Sequence, residues 1–296
     1  MSSAAPFGTV LTAMVTPFRE DGSVDLDGVQ RVAKHLVDHG HDGIVVSGTT
    51  GESATPTIGE DAETLAAVRD AVGDRAKVVA GVGTNDTRTT VELAEQAAKV
   101  GVDGLLLVTP YYNKPGQRGI LEHFRTAAAA TDVPVMLYDV PGRTGSTIGL
   151  EVYREAITWD TVVAVKEATG DLARGTRLVD LGYAVYSGDD ALNLAWLAHG
   201  AVGVVSVVGH VAGDGLRALV DAAASGDLAT ARQTYARMLP AIDAVMGVSN
   251  YGATTAKAAL ELLGVLDNRR VRQPLVALDD DEVAALRAGL AAAGLI

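Results

Sequence analysis

The sequence predicts an α/β chain folded as a (β/α)8 TIM barrel with a C-terminal helical extension. Three observations carry this expectation. Short β-rich runs alternate eight times with longer Ala/Leu-rich helical stretches. The runs are nearly continuously apolar and rich in Val and Leu, as parallel strands are when both faces are covered. The repeats fit within about 225 residues, near the usual barrel size of about 250.

The β-rich runs are residues 9–15, 43–46, 77–81, 104–108, 133–138, 162–165, 184–186 and 202–208. Between them lie helical stretches at 26–38, 60–72, 89–100, 117–130, 150–157, 171–181 and 191–198, and an eighth at 216–224 follows the last run. The first helix sets Val29, Val32, Leu36 and Val37 on one side. Glycines and capping residues punctuate the joins. A doubly wound open sheet is the alternative. It needs fewer strands and a Gly-rich phosphate turn after the first, where this chain has Thr16-Pro17-Phe18. Residues 229–296 break the rhythm and read as helices 229–245, 251–263 and 281–292, with no convincing strand. No low-complexity linker sets them apart. The expected organisation is a catalytic barrel over residues 1–228 with a helical region over 229–296, packed on the barrel or on a neighbouring subunit.

Composition narrows the function. With 296 residues and 48% hydrophobic content, the chain can bury a substantial core. It has no cysteine, which excludes disulfides, thiolate zinc sites, cysteine-ligated iron–sulfur clusters and a cysteine nucleophile. Its net charge of −13 disfavours nucleic acid. The longest apolar runs, 202–209 and 291–296, fall short of the roughly 20 residues that span a bilayer. Residues 1–6 lack the basic segment of a signal peptide. A soluble, cytoplasmic, acidic protein is expected. There is no P-loop, complete dinucleotide fingerprint or nucleophile elbow, and the histidines form no metal-ligand cluster. His35 and His39 read as solvated residues on the polar face of the first helix.

Active sites of (β/α)8 barrels lie at the C-terminal ends of the strands, so those ends carry the functional reading. The second run ends in Ser47-Gly48-Thr49-Thr50-Gly51-Glu52-Ser53. Its glycines admit a ligand close to the backbone, and its hydroxyls and N–H groups suit a small carboxylate. An ordinary turn capping the next helix reads equally well. The fourth ends in Thr109-Pro110-Tyr111-Tyr112-Asn113-Lys114, where one Tyr can face the site and the other a partner. The fifth ends in Tyr138, a candidate proton shuttle, followed by Arg143 on a Gly/Pro-shaped loop, a candidate carboxylate clamp. The sixth ends in Lys166-Glu167. Desolvation at the end of an apolar strand lowers a lysine pKa, and only the neutral amine attacks a carbonyl; an exposed Lys166–Glu167 pair is the bland alternative. The seventh and eighth end in Ser187-Gly188-Asp189-Asp190 and Val205-Ser206-Val207. There Gly188 and Val205 leave room for a ligand opposite Lys166, or the two Asp simply start the next helix.

Together these ends suggest a lyase that works through a lysine Schiff base. At this point the chain resembles the dihydrodipicolinate synthase family, within the N-acetylneuraminate lyase superfamily. The resemblance runs from about Phe7 through the C-terminal helices. It is carried by Gly48-Thr49-Thr50-Gly51-Glu52, Tyr111-Tyr112-Asn113-Lys114-Pro115, the stretch Tyr138 to Gly145, Val165-Lys166-Glu167 and Ser187-Gly188-Asp189-Asp190. It implies that Lys166 condenses with pyruvate, and that Tyr138, Thr49 and Tyr112 relay protons, with Tyr112 reaching a neighbouring subunit's site. It further implies that Thr50 and nearby amides hold the pyruvate carboxylate and that Arg143 holds that of L-aspartate 4-semialdehyde. No metal or organic cofactor and a homotetramer are implied, in a step toward diaminopimelate and lysine.

Two departures stand out. Where lysine-sensitive members carry histidine and acidic groups for feedback binding, this chain has Ile58, Asp61 and Thr89, although Ser53, Ala54, Asn85 and Tyr111 match. Weak or absent lysine inhibition is expected. Asp139 stands where many members have Asn and adds a negative charge beside Tyr138. A superfamily lyase for sialic or keto-deoxy sugar acids would keep Lys166 and Tyr138 but has little reason to keep Arg143 or both threonines. A catalytically silent paralogue would have little reason to keep Lys166.

Overall fold

The structure, a computed structural model, describes residues 5–248 and 252–296. Eight strands close into a barrel in sequence order, β1 (Val10–Ala13), β2 (Gly43–Val46), β3 (Lys77–Gly81), β4 (Gly104–Val108), β5 (Val135–Asp139), β6 (Val162–Glu167), β7 (Ala184–Ser187) and β8 (Gly203–Ser206). Every neighbouring pair is parallel, including β8 with β1. Around them run α1 (Leu26–Asp38), α2 (Ile58–Val72), α3 (Thr87–Val100), α4 (Gln117–Ala128), the one-turn α5 (Pro141–Thr144), α6 (Leu150–Ala156), α7 (Leu172–Asp180), α8 (Asn193–Ala198) and α9 (Gly209–Ala224). The open-sheet alternative is excluded by closure. Among the described residues no helix is long and apolar enough to cross a membrane.

Strand alternation sorts the side chains. Val45, Val79, Leu106, Met136, Ala164, Ala184 and Val205 turn inward and fill the barrel, while Ile44, Val46, Val78, Leu105, Leu137 and Val165 turn outward onto the helices. The N-terminal end of the axis is closed by Phe7 and Tyr186, whose ring centroids lie 6.4 Å apart. The Tyr186 hydroxyl donates to Gly8 O at 3.0 Å and accepts from Phe7 N at 3.3 Å. Glycine is required at 104 because a Cβ there would meet the Phe7 ring at 2.3 Å.

The structure departs from the sequence expectation at several joins. Strands β5 and β6 run one and two residues further than the apolar runs, to Asp139 and Glu167, because those carboxyl groups find partners on the outer face. The Val-rich run 202–208 stops as a strand at Ser206. The Asp190 carboxylate takes the Val207 and Val208 N–H groups at 2.8 and 2.9 Å, and α9 starts at Gly209, with a kink at Ala212. The Ser47–Ser53 turn after β2 does not cap α2. Thr57 does so, accepting from Glu60 N while Glu60 accepts from Thr57 N. His35 and His39 are half-buried rather than solvated. Their rings lie 4.3 Å apart, and each is hydrogen-bonded to a backbone carbonyl, His210 O and His35 O respectively.

After the barrel come α10 (Leu228–Met246), α11 (Ala253–Leu262) and α12 (Asp280–Ala292). Tyr251, where the sequence places the start of the middle helix, lies outside the described residues, as do residues 1–4. Met238, Ala241, Ile242 and Val245 of α10 and Leu286 and Leu290 of α12 share one buried cluster with Leu216 and Leu219 of α9 and with Val10 and Val204 on the outer barrel wall. Burying such side chains stabilises by about 1.5–3 kcal/mol each, which welds the extension to the β1–β8 side.

Candidate active site

Lys166 and Tyr138 are register partners on β6 and β5, and both point inward near the C-terminal mouth. The Lys166 ammonium sits 4.4 Å from the Tyr138 ring centroid, and Lys166 is only 5% exposed. Burial lowers its pKa to about 8; the Asp190 charge opposes this and the Arg143 charge adds to it. Near pH 7.5 that shift raises the neutral fraction by roughly two orders of magnitude. The bland alternative of an exposed Lys166–Glu167 pair fails, since both side chains are buried and lie on opposite faces of β6.

The other candidates arrange themselves around this amine. A Cβ on Gly188 would meet Lys166 Cγ at 3.0 Å, so the bare backbone of Gly188 lies against the lysine stem. Val205 is a buried member of the same interior cluster as Tyr138. Arg143 rides on α5, whose Pro141 start and left-handed Gly145 end make a single tight turn at the mouth. Thr50 is buried and Thr49 exposed on the loop after β2. Tyr112 is not drawn into the pocket of its own chain: it is 87% exposed.

Backbone strain concentrates here. Ser47, Glu52, Tyr112 and Lys114 adopt left-handed conformations with φ of 56, 58, 71 and 45°. Such residues cost of order 1–3 kcal/mol each and persist only where the surroundings over-determine them. Those surroundings are visible. Ser47 Oγ donates to Asp61 Oδ1 at 2.9 Å, and burial raises the Asp61 pKa to about 6. Thr16 Oγ1 donates to Gly51 O at 2.7 Å. Glu52 Oε1 accepts from Lys257 Nζ at 2.5 Å, and Glu52 Oε2 from Arg272 N at 2.8 Å. Lys257 also donates to Arg270 O and lies 4.1 Å from the Phe18 ring centroid. Its pKa falls to about 8, with burial the main cause, opposed by Glu52. The C-terminal helices therefore grip the loop that carries Thr49 and Thr50.

Sequence reasoning missed several of these supports. Asp190 does not simply open a helix. Its buried carboxylate accepts from Ser206 Oγ, Asn193 Nδ2 and the Val207 and Val208 amides, joining the ends of β7 and β8; Asp189 caps the short turn instead. Lys257 carried a faint signal. Helix α11 is buried at every position from Ala253 to Leu260, so a lone lysine within it requires an internal partner.

A desolvated lysine facing a tyrosine at the catalytic end of a closed (β/α)8 barrel defines a lyase-type site centred on an amine. Comparison with known proteins fixes which one. The chain belongs to the dihydrodipicolinate synthetase family, whose profile matches residues 6–293. It is 56% identical to the 4-hydroxy-tetrahydrodipicolinate synthase of Kineococcus radiotolerans, over 98% of this chain and 94% of that one. It is 52% identical to 4-hydroxy-tetrahydrodipicolinate synthase 2 of Streptomyces coelicolor, over 98% and 96%. The crystal structure of the Cyanidioschyzon merolae enzyme with lysine bound superposes with a TM-score of 0.94 at 40% identity, covering 99% of this chain and all of that one. The chain is accordingly an enzyme, a lyase.

Proposed function

We propose that the chain condenses pyruvate with L-aspartate 4-semialdehyde through a Schiff base on Lys166, giving 4-hydroxy-tetrahydrodipicolinate on the route to diaminopimelate and lysine. The observation that carries this is the Lys166 amine, buried beside Tyr138 with its pKa lowered to about 8. The neutral amine attacks the ketone carbon of pyruvate, and water leaves as the imine forms. Loss of a methyl proton gives the enamine, which adds to the aldehyde. Cyclisation of the adduct then expels Lys166. No metal or organic cofactor takes part in this scheme.

Tyr138 and Thr49 pass protons to and from the pocket, completed by Tyr112 of a neighbouring subunit in a homotetramer. The 87% exposure of Tyr112 supports that assignment, because a large aromatic held left-handed on a strained loop is built to be covered. Thr50 and the adjoining amides receive the pyruvate carboxylate, Arg143 receives that of the semialdehyde, and Gly188 and Val205 shape the wall beside the lysine. The Glu52–Lys257 pair supports reading residues 229–296 as part of one catalytic unit rather than a separate domain. The absence of a membrane-spanning helix among the described residues is consistent with a cytoplasmic location.

Feedback by lysine is weak or absent in this reading. Ile58 offers no polar group, Asp61 is turned inward to Ser47, and Thr89 is engaged with Asp86 at 2.6 Å. Micromolar inhibition by lysine would contradict it. The functional assignment is tested by comparing turnover of pyruvate plus L-aspartate 4-semialdehyde with cleavage of sialic and keto-deoxy sugar acids. Only the first should proceed efficiently, and R143A should damage mainly the use of the semialdehyde. Loss of pyruvate binding alone in R143A would overturn that role.

A further inference from the structure

Directly behind the amine, on the outer faces of the same two strands, Asp139 and Glu167 form a second register pair. Neighbouring strands lie about 4.8 Å apart, and the two side chains leave the sheet on one side. Both are fully buried. All donors to Asp139 converge on Oδ2: the Arg174 guanidinium, Ile148 N at 3.0 Å, Thr147 Oγ1 at 3.1 Å and Tyr153 Oη at 3.3 Å. Asp139 Oδ1 has no partner. Glu167 Oε1 accepts from Thr169 N at 2.6 Å, and Oε2 has no partner. Arg174 from α7 is the cation that faces them, Tyr153 from α6 and Tyr183 beside it stay neutral phenols, and Lys166 lies across the strand.

Two adjacent carboxylates with one guanidinium are short of a positive charge, and each leaves an oxygen without a donor. An unpaired buried acceptor or charge is costly, and like charges sharing a site drive one pKa up. One proton resolves both defects. Asp139 holds the cation and three further donors. Glu167 holds a single backbone donor. Burial raises its pKa, and the neighbouring Asp139 adds to the rise, against Thr169 and Arg174.

We propose that Glu167 is a neutral carboxylic acid at working pH, that its proton bridges to Asp139, and that this proton-sharing pair with Arg174 is a positioning bracket behind Lys166 and Tyr138. The bracket ties β5 to β6 at the two residues that follow the reacting ones, so losing it lets the amine and the phenol drift apart without removing either.

The experiment uses the full-length enzyme at pH 8, where Asp61, with its pKa of about 6, is ionised. Infrared spectra should show a protonated-carboxyl C=O band. It should vanish in E167Q, and also in D139N, where Glu167 ionises against Arg174. No such band in the wild type, or one that survives E167Q, overturns the shared proton. For positioning, E167Q retains a donor and should keep kcat within about twofold, whereas E167M should lose about tenfold or more in kcat with little change in pyruvate KM. If E167M equals wild type, or E167Q falls as far as E167M, the bracket is wrong. Should E167M fail to fold, the band and E167Q still decide. The turnover arm rests on the condensation proposed above and the infrared arm does not, so failure of either is separable.

Discussion

At the N-terminal end of the barrel, Phe7 and Tyr186 fill the axis, and Gly104 yields space to the Phe7 ring. At the C-terminal end the strands and their loops carry a buried lysine, four left-handed non-glycine residues and the buried Glu52 carboxylate, which is held by Lys257 and the Arg272 amide from far along the chain. One end is closed by apolar packing and the other by charge and hydrogen bonding. Low-dielectric walls around Lys166 lower its pKa, and the strain of the surrounding loops must be held by contacts from elsewhere in the chain. Changes at the floor should therefore cost stability alone, and changes at the mouth should cost activity, or both.

The sharpest break in that contrast is K166A. Removing the amine should lower kcat by at least about a thousandfold while leaving the melting temperature equal or higher, because a buried ammonium is desolvated at a cost. A large loss of stability in K166A, read by thermal unfolding, would contradict the partition. Next comes K257M at the border between the extension and the mouth. It strands the Glu52 carboxylate and should destabilise by about 3–5 kcal/mol. It should also raise the pyruvate KM, because the Thr49–Thr50 loop loses its grip. A KM unchanged in the folded variant would confine Lys257 to stability. At the floor, G104A should cost about 1–3 kcal/mol through overpacking against Phe7 and leave kcat per folded enzyme unchanged. Urea titration and active-site counting check both.

The smallest effect is pH dependence. Burial lowers His41 and His123 to about 4 and His210 to about 3. Unfolded histidines protonate near pH 6.5, so between pH 6.5 and 4 the unfolded chain binds more protons and stability falls as pH drops. Asp61, raised to about 6, takes its proton first in the folded state and offsets part of the fall. The urea midpoint should still decrease from pH 7 to pH 5, three rings outweighing two carboxyls, Asp61 and the protonated Glu167. A midpoint that rises would reverse this sign.

Much of this was legible in the sequence, and the limit has a physical form. Strand order followed from apolar runs separated by amphipathic helices, and Lys166 and Tyr138 stood out as polar residues ending such runs. What stayed hidden acts at long range or across the sheet. Glu52 and Lys257 are 205 residues apart and meet only through the packing of α11. Asp190 reads as a helix-start residue until its carboxylate is seen holding the end of β8. Asp139 and Glu167 look like surface neighbours of Tyr138 and Lys166, because one sequence position decides inward from outward only when the strand's last residue is known. The apolar runs end at Tyr138 and Val165, so composition alone does not carry the alternation on to Asp139 and Glu167.

The central claim is that the buried Lys166 amine does the covalent work. It is tested most directly by incubating the protein with pyruvate, reducing with borohydride and mapping the mass increase by peptide mass spectrometry. The account predicts one reduced pyruvate adduct on Lys166, absent in K166A. No adduct at Lys166, or an adduct on Lys257 instead, would contradict it.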